Sequence, residues 1–157
     1  MAWEAVPYCV CDKNLEQKYK LQNGDILVAR IGATTGKTFL VENPQRAIFA
    51  SYLMRIRTKQ KLDSIFLNYF FQSPRYWRQM REQMGGRLKG GVNIPIIKNL
   101  QIPIFSLPDQ REIADILQTI DQKIEIEQKK KALYEELFRA MLDGLMNRKI
   151  EAERIKL

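Results

Sequence analysis

Apolar residues stand at Ile113, Leu117, Ile120 and Ile124, and again at Tyr134, Phe138, Met141 and Leu145, in alternating steps of four and three. That spacing lays one stripe along an α-helix, and it predicts a helix over residues 108–149. Pro108 suits a first helical position, where a missing N–H costs nothing, and Asp109 and Glu112 set carboxylates against the positive end of the helix dipole. At about 1.5 Å per residue, roughly 40 residues extend about 60 Å, longer than the small domain that precedes them. Such a helix finds a partner outside its own domain or folds back on itself. Where the stripe should continue between Ile124 and Tyr134 it carries Glu127 and Lys131, inside the run EIEQKKK, so two apolar segments flank a polar centre. The pattern fits a coiled-coil dimerisation helix, a hairpin bent near Lys129 to Lys131, or a spacer whose two ends pack different things.

Upstream the period shortens to that of strands. Asn23-Gly24-Asp25 is a turn, Ile26 to Arg30 a strand, Lys37 to Val41 another, Asn43-Pro44 a second turn, and Ala47 to Thr58 a bent or paired strand. Two helical patterns follow. In Leu62 to Gln72, Ile65, Phe66, Tyr69 and Phe70 share a side; in Pro74 to Met84, Tyr76, Trp77 and Met80 face a core while Arg75, Arg78 and Arg81 recur every third residue. The glycine-rich run from Gly85 to Gly91 breaks all periodicity, and Leu100 to Phe105 is extended. The expectation is an α+β chain: a small, mostly antiparallel β-rich domain with short helices over 1–107, the long helix over 108–149, and a tail over 150–157.

Composition sharpens this only in places. With 157 residues, 45% apolar and 28% charged, the chain supports one core plus the helix. No apolar run approaches the roughly 20 residues needed to cross a bilayer, and Met1 to Asn14 lacks a basic region followed by an apolar one, so a cytoplasmic protein is expected. The distribution of charge is more informative than the total of +8. Up to Leu107 there are 16 Lys and Arg against 7 Asp and Glu, a net of +9; from Pro108 onward the counts are 10 and 11, a net of −1. A basic domain on a near-neutral helix points to a polyanion for the domain and a protein for the helix.

Catalytic readings lack parts. GATTGKT at Gly32 to Thr38 has three residues between its glycines where a phosphate-binding loop needs four, and a strand follows instead of a helix. Pro108-Asp109 and Glu127-Gln128-Lys129 imitate a metal-nuclease signature, yet they lie about 18 residues apart on one helix, roughly 27 Å, too far to share an ion. The chain has no His, and its two cysteines, Cys9 and Cys11, fall short of a four-ligand zinc site, so they read as free thiols. No metal, cofactor or enzymatic activity is expected.

Three stretches in order, GDILVARIGATTGK (Gly24 to Lys37), YFFQSPRYWRQMREQMGG (Tyr69 to Gly86) and IPIFSLPDQREIADILQTIDQKI (Ile102 to Ile124), resemble the target recognition domain and following helix of DNA specificity (S) subunits of type I restriction-modification systems. The resemblance covers Leu21 to Met146. It implies a non-catalytic subunit whose recognition domain reads double-stranded DNA. It also implies a helix that acts as a coiled-coil spacer and docks the adenine methyltransferase (M) subunit, with the restriction/translocase (R) subunit joining the assembly. Members of the family carry two recognition domains and two helices, whereas this sequence has one of each, the domain being short with Met1 to Tyr19 in place of the usual opening strands. The resemblance is thus to a half-subunit, for which a homodimer through the long helix is expected. The competing reading is a non-catalytic structural or interaction protein that uses the helix and reads no DNA.

Candidate DNA contacts are Arg30, Thr34, Thr35 and Lys37, and Arg87 and Lys89 in the glycine-rich run, where small neighbours let backbone approach phosphates while long basic side chains reach them or a guanine edge. Arg75 and Arg78 are further phosphate candidates. On the helix, Ile113, Leu117, Ile120, Ile124, Phe138 and Met141 form the expected partner face.

Overall fold

The computed structural model describes residues 6–85 and 91–147. It divides into two compact units, one running through Ala114 and one from Asp115 onward.

The first unit is built around a strand covered on both sides. β1 (Ile26–Ala29) lies between β2 (Thr38–Leu40) and β3 (Leu53–Ile56), all antiparallel. Ile26 stands opposite both Leu40 and Ile56, and Val28 opposite Thr38 and Met54. Successive strand side chains point to opposite faces, so Ile26 and Val28 enter the main core while Leu27 joins Leu21 and Val41 in a smaller one. Both faces being covered, β1 reads as an unbroken apolar run. Of the bent or paired strand expected over Ala47 to Thr58, Leu53–Ile56 pairs with β1, and Ile48 makes an isolated bridge to Lys20.

Ahead of β1, Gly24 takes a positive φ of 83°, and Asp25, 1% exposed, accepts the Gln22 N–H at 2.8 Å and a two-pronged ion pair from Arg57 at 2.7 and 2.9 Å. Burial pushes that carboxyl up, but the bonds from Arg57 and Gln22 outweigh it and hold the group below the usual carboxylate range. The turn and the far end of β3 are thereby locked together.

The main core is closed by α2 (Ser64–Gln72) and α3 (Pro74–Gln83). Asp63 caps α2 by accepting the N–H groups of Ile65 and Phe66, and Ser73 ends α2 while capping α3 through Tyr76 N–H, with Pro74 at the first position. Phe66, Leu67, Phe70 and Phe71 from α2 and Tyr76 and Met80 from α3 are buried.

Two short helices were not legible as periodic patterns. α1 (Lys13–Tyr19) buries no residue; it is capped by Asp12 and tied to the sheet side by the Glu16–Arg46 ion pair at 2.6 Å and by Arg55 donating to the Lys18 and Lys20 carbonyls. α4 (Ile94–Lys98) is one turn, capped by Asn93. Both are too short to show a period, and their caps are their signal.

The last element, α5 (Leu107–Met146), is one uninterrupted helix of 40 residues, so the hairpin bent near Lys129 to Lys131 does not form. It starts at Ser106, whose hydroxyl accepts Asp109 N–H and whose carbonyl accepts Gln110 N–H. Its first two turns belong to the globular unit. Gln110 is fully buried; its Oε1 accepts Asp63 N–H at 2.8 Å, and its Nε2 donates to the carbonyls of Lys61 at 3.1 Å and Phe105 at 2.9 Å. Ala114 is buried one turn on, and Phe105 meets Phe66 edge to face at 5.9 Å. One amide therefore ties the helix root to the loop before α2 and to the segment that leads into α5.

Candidate nucleic-acid interface

Two stretches that lie 40 residues apart meet at Gly36. Gly32 and Gly36 take φ of 88° and 82°, and between them the chain folds through Thr35 N–H to Gly32 O and Lys37 N–H to Thr34 O, closing the β1–β2 connection into a tight knot. Tyr76, buried in α3, donates its hydroxyl to Gly36 O at 2.7 Å. A Cβ at Gly36 would stand 3.2 Å from the Trp77 ring, close enough that the ring would have to shift, and the positive φ favours glycine there in any case. Burial pushes the Tyr76 hydroxyl's pKa well above its ordinary value, so it stays protonated and remains a donor.

This junction fixes where the expected DNA contacts stand. Thr34 and Lys37 are exposed on the turn, and Arg75 and Arg78 are exposed on α3, on either side of the Tyr76–Trp77 pair that grips Gly36. Lys37, Arg75 and Arg78 have no ion-pair partner among the described residues. They are cations free to meet an anion. Thr35 behaves differently: it is 7% exposed and donates its hydroxyl to Gly32 O at 2.6 Å, so its side chain shapes the turn from within instead of facing outward. Arg30 is exposed, yet its guanidinium donates to the carbonyls of Ser51 at 3.3 Å and Val92 at 3.4 Å. It holds loops together with part of its five-donor fork and leaves the remainder available. Arg87 and Lys89 lie outside the described residues.

Along α5 the expected partner face is largely uncovered. Ile113, Leu117 and Met141 are half-buried, while Ile120, Ile124, Tyr134 and Phe138 are exposed, Phe138 to 65%. Ile116 and Ile126 in the N-terminal half and Leu133, Leu137 and Leu142 in the C-terminal half are exposed as well, so the apolar face is broader than a single stripe along both halves. At the centre the charged side chains satisfy one another along the helix: Lys129–Glu125 at 2.7 Å, Lys130–Glu127 at 2.7 Å and Lys131–Glu135 at 3.8 Å. Such exposed pairs contribute little to stability, and the Lys129 partnership lowers the pKa of the Glu125 carboxyl.

Two positioning residues escaped the pattern reading. Tyr76 was legible as a core residue, but nothing in the sequence announces the destination of its hydroxyl. Gln110 had a usable signal: it lies three residues before Ile113 and four before Ala114, on the buried face, where a lone amide implies buried backbone partners.

Comparison with known proteins places these features in a family. The type I restriction modification DNA specificity domain matches residues 12–136, most of the chain. The chain is also 27% identical, over 159 aligned residues and 98% of its length, to the type I restriction enzyme MjaVIII specificity subunit of Methanocaldococcus jannaschii, of whose length it spans 37%. With all three motif stretches and most of the long helix inside the matched range, the chain belongs to the type I restriction-modification DNA specificity domain family.

Proposed function

We propose that this chain reads double-stranded DNA in a sequence-specific manner as a specificity component of a type I restriction-modification system. It is without catalytic chemistry of its own, and it directs a partner adenine methyltransferase and a restriction/translocase subunit to the target. The observation that carries the reading is the convergence at Gly36: the turn bearing Thr34 and Lys37 is gripped by the helix bearing Arg75 and Arg78, on a globular part with a net charge of +9. Unpaired cations carried on two elements that are clamped together, on a basic domain, are suited to straddling a phosphate backbone while neighbouring side chains enter a groove. Lys37, Arg75 and Arg78 meet phosphates, and Thr34 adds a hydroxyl donor. Family membership supports DNA as the polyanion, and the relative's name, a specificity subunit of a type I restriction enzyme, supports the setting.

The helix supplies the assembly. Its uncovered apolar stripe pairs with that of a second copy, giving a homodimer that presents two recognition domains and therefore reads a symmetric, split target. The methyltransferase docks along the same spacer. No helix among the described residues is long and apolar enough to cross a membrane, and the free cysteines Cys9 and Cys11 fit a reducing compartment, the cytoplasm.

The test is duplex binding over a salt series. Affinity should fall steeply with salt, and the slope of log affinity against log salt should flatten by about one for each phosphate contact removed in Lys37→Ala, Arg75→Ala and Arg78→Ala. A triple variant with the wild-type slope rejects this surface. Co-purification with a co-expressed adenine methyltransferase, followed by methylation of mixed-sequence duplex, separates reading from docking. A complex that forms through the helix but methylates no defined target leaves only a docking spacer.

A further inference from the structure

Three segments far apart in sequence meet at the end of β1, and Arg30 ties them together. Its backbone N–H donates to Tyr52 O at 2.9 Å, its carbonyl accepts Val92 N–H at 2.7 Å, and its guanidinium reaches the carbonyls of Ser51 and Val92. Gly91, with φ of 73°, passes so close beneath that a Cβ there would lie 3.0 Å from Arg30 O and 3.3 Å from Ile31 Cγ2. The result is a fixed rim made of Arg30–Ile31, Ser51–Tyr52 and Gly91–Ile94.

On this rim three bulky apolar side chains are left in water: Ile31 is 62% exposed, Tyr52 56% and Ile94 58%. The core does not need them, since β1 is already covered on both faces. Large apolar side chains gathered at one rigid place mark a surface that meets something. The basic charge of the domain selects a polyanion, and apolar side chains beside a cation suit the floor of the major groove, where thymine methyls and base edges are exposed between the phosphate walls.

Building on the DNA-reading function, we propose that Ile31, Tyr52 and Ile94 are the base-contacting, specificity-determining side chains, favouring thymine-bearing pairs, and that Arg30 is the positioning residue that holds their three segments in register. Labour is divided: Lys37, Arg75 and Arg78 anchor the backbone, and the Arg30 rim reads the sequence.

The experiment uses the full chain, a duplex selected by it from a randomised pool, and a scrambled duplex of equal length at the same salt. Tyr52→Ala and Ile31→Ser should each lower affinity for the selected duplex tenfold or more, leave affinity for the scrambled duplex within about twofold, and leave the salt slope unaltered, because no phosphate contact is lost. Both positions are exposed, and an unchanged melting temperature checks that the fold is intact. An unchanged preference overturns the assignment, as does equal loss on both duplexes. A variant that keeps its preference but no longer retains a co-expressed methyltransferase also overturns it, giving the rim to a protein partner. A wild-type chain that selects no sequence rejects the DNA-reading function itself, a result distinct from failure of the rim.

Discussion

A single hydroxyl links the aromatic core to the Gly32–Lys37 turn. The Tyr76 ring lies among Phe70, Phe71 and Trp77, with centroids 5.1–6.3 Å away, while its oxygen ends on Gly36 O. Tyr76→Phe keeps the ring and removes only the donor, leaving the Gly36 carbonyl buried without its partner. That should destabilise the chain by about 1–2 kcal/mol, visible as a lowered urea midpoint with unchanged slope. It should also loosen the turn that presents Thr34 and Lys37, so duplex affinity falls several-fold while the salt slope stays the same. A variant with wild-type affinity would show that the turn holds its shape without the α3 clamp. The same scale explains why Thr34 and Thr35, adjacent and alike in sequence, have opposite orientations: two positive-φ glycines fold the chain so that Thr35 closes on Gly32 and Thr34 is left outside.

At the scale of elements, α5 is joined to the globular unit by an amide and not by apolar contact alone. Gln110→Ala removes a fully buried side chain and strands Asp63 N–H and the Lys61 and Phe105 carbonyls in a part-buried site. The expected cost is about 2–3 kcal/mol, since three part-buried groups lose their partner at once, and it should appear as a lower thermal midpoint of the chain. A cost within a few tenths would mean that water enters and the amide is not the joint. The elements that could be read in advance are those with a period or with turn punctuation: β1, β2, α2, α3 and the full run of α5. α1 and α4 could not, because seven and five residues carry no period and α1 buries nothing. The bent or paired strand expected over Ala47 to Thr58 is longer than β3 because Ala47 and Phe49 are apolar for the sake of the smaller core, outside the ladder that Leu53–Ile56 makes with β1. The cations were visible as charges in sequence; the docking of Tyr76 and Trp77 on Gly36 was not, because it depends on a pairing 40 residues apart that has no local signal.

For the whole molecule, the form of the proposed pairing would turn on two charges along the apolar stripe. The positions Ile113, Leu117, Ile120, Ile124, Glu127, Lys131, Tyr134, Phe138, Met141 and Leu145 are spaced symmetrically about Lys129. In a parallel, in-register pair of copies, Glu127 faces Glu127 and Lys131 faces Lys131 across the seam, two like-charge layers at the centre. Turned end for end about Lys129, each Glu127 faces Lys131 of the second copy, Ile124 faces Tyr134, Ile120 faces Phe138 and Leu117 faces Met141. The within-helix partners that Glu127 and Lys131 give up, Lys130 and Glu135, are exposed and weak. Flanking positions favour the end-for-end arrangement less, since Lys130 meets its own copy there, but those side chains can turn into water, whereas the seam charges cannot. The antiparallel homodimer is therefore the expected form. Glu127→Lys alone, or Lys131→Glu alone, sets like charges opposite each other twice and should weaken dimerisation roughly 30-fold, at about 1 kcal/mol for each of two pairs. The double exchange Glu127→Lys with Lys131→Glu restores opposite charges and should recover most of the loss. In a parallel pair the same four proteins would associate alike, because each single change only replaces one like pair by another. Sedimentation equilibrium on the wild type, the two single variants and the double exchange separates the cases, and a wild-type chain that stays monomeric at high concentration removes the homodimer altogether.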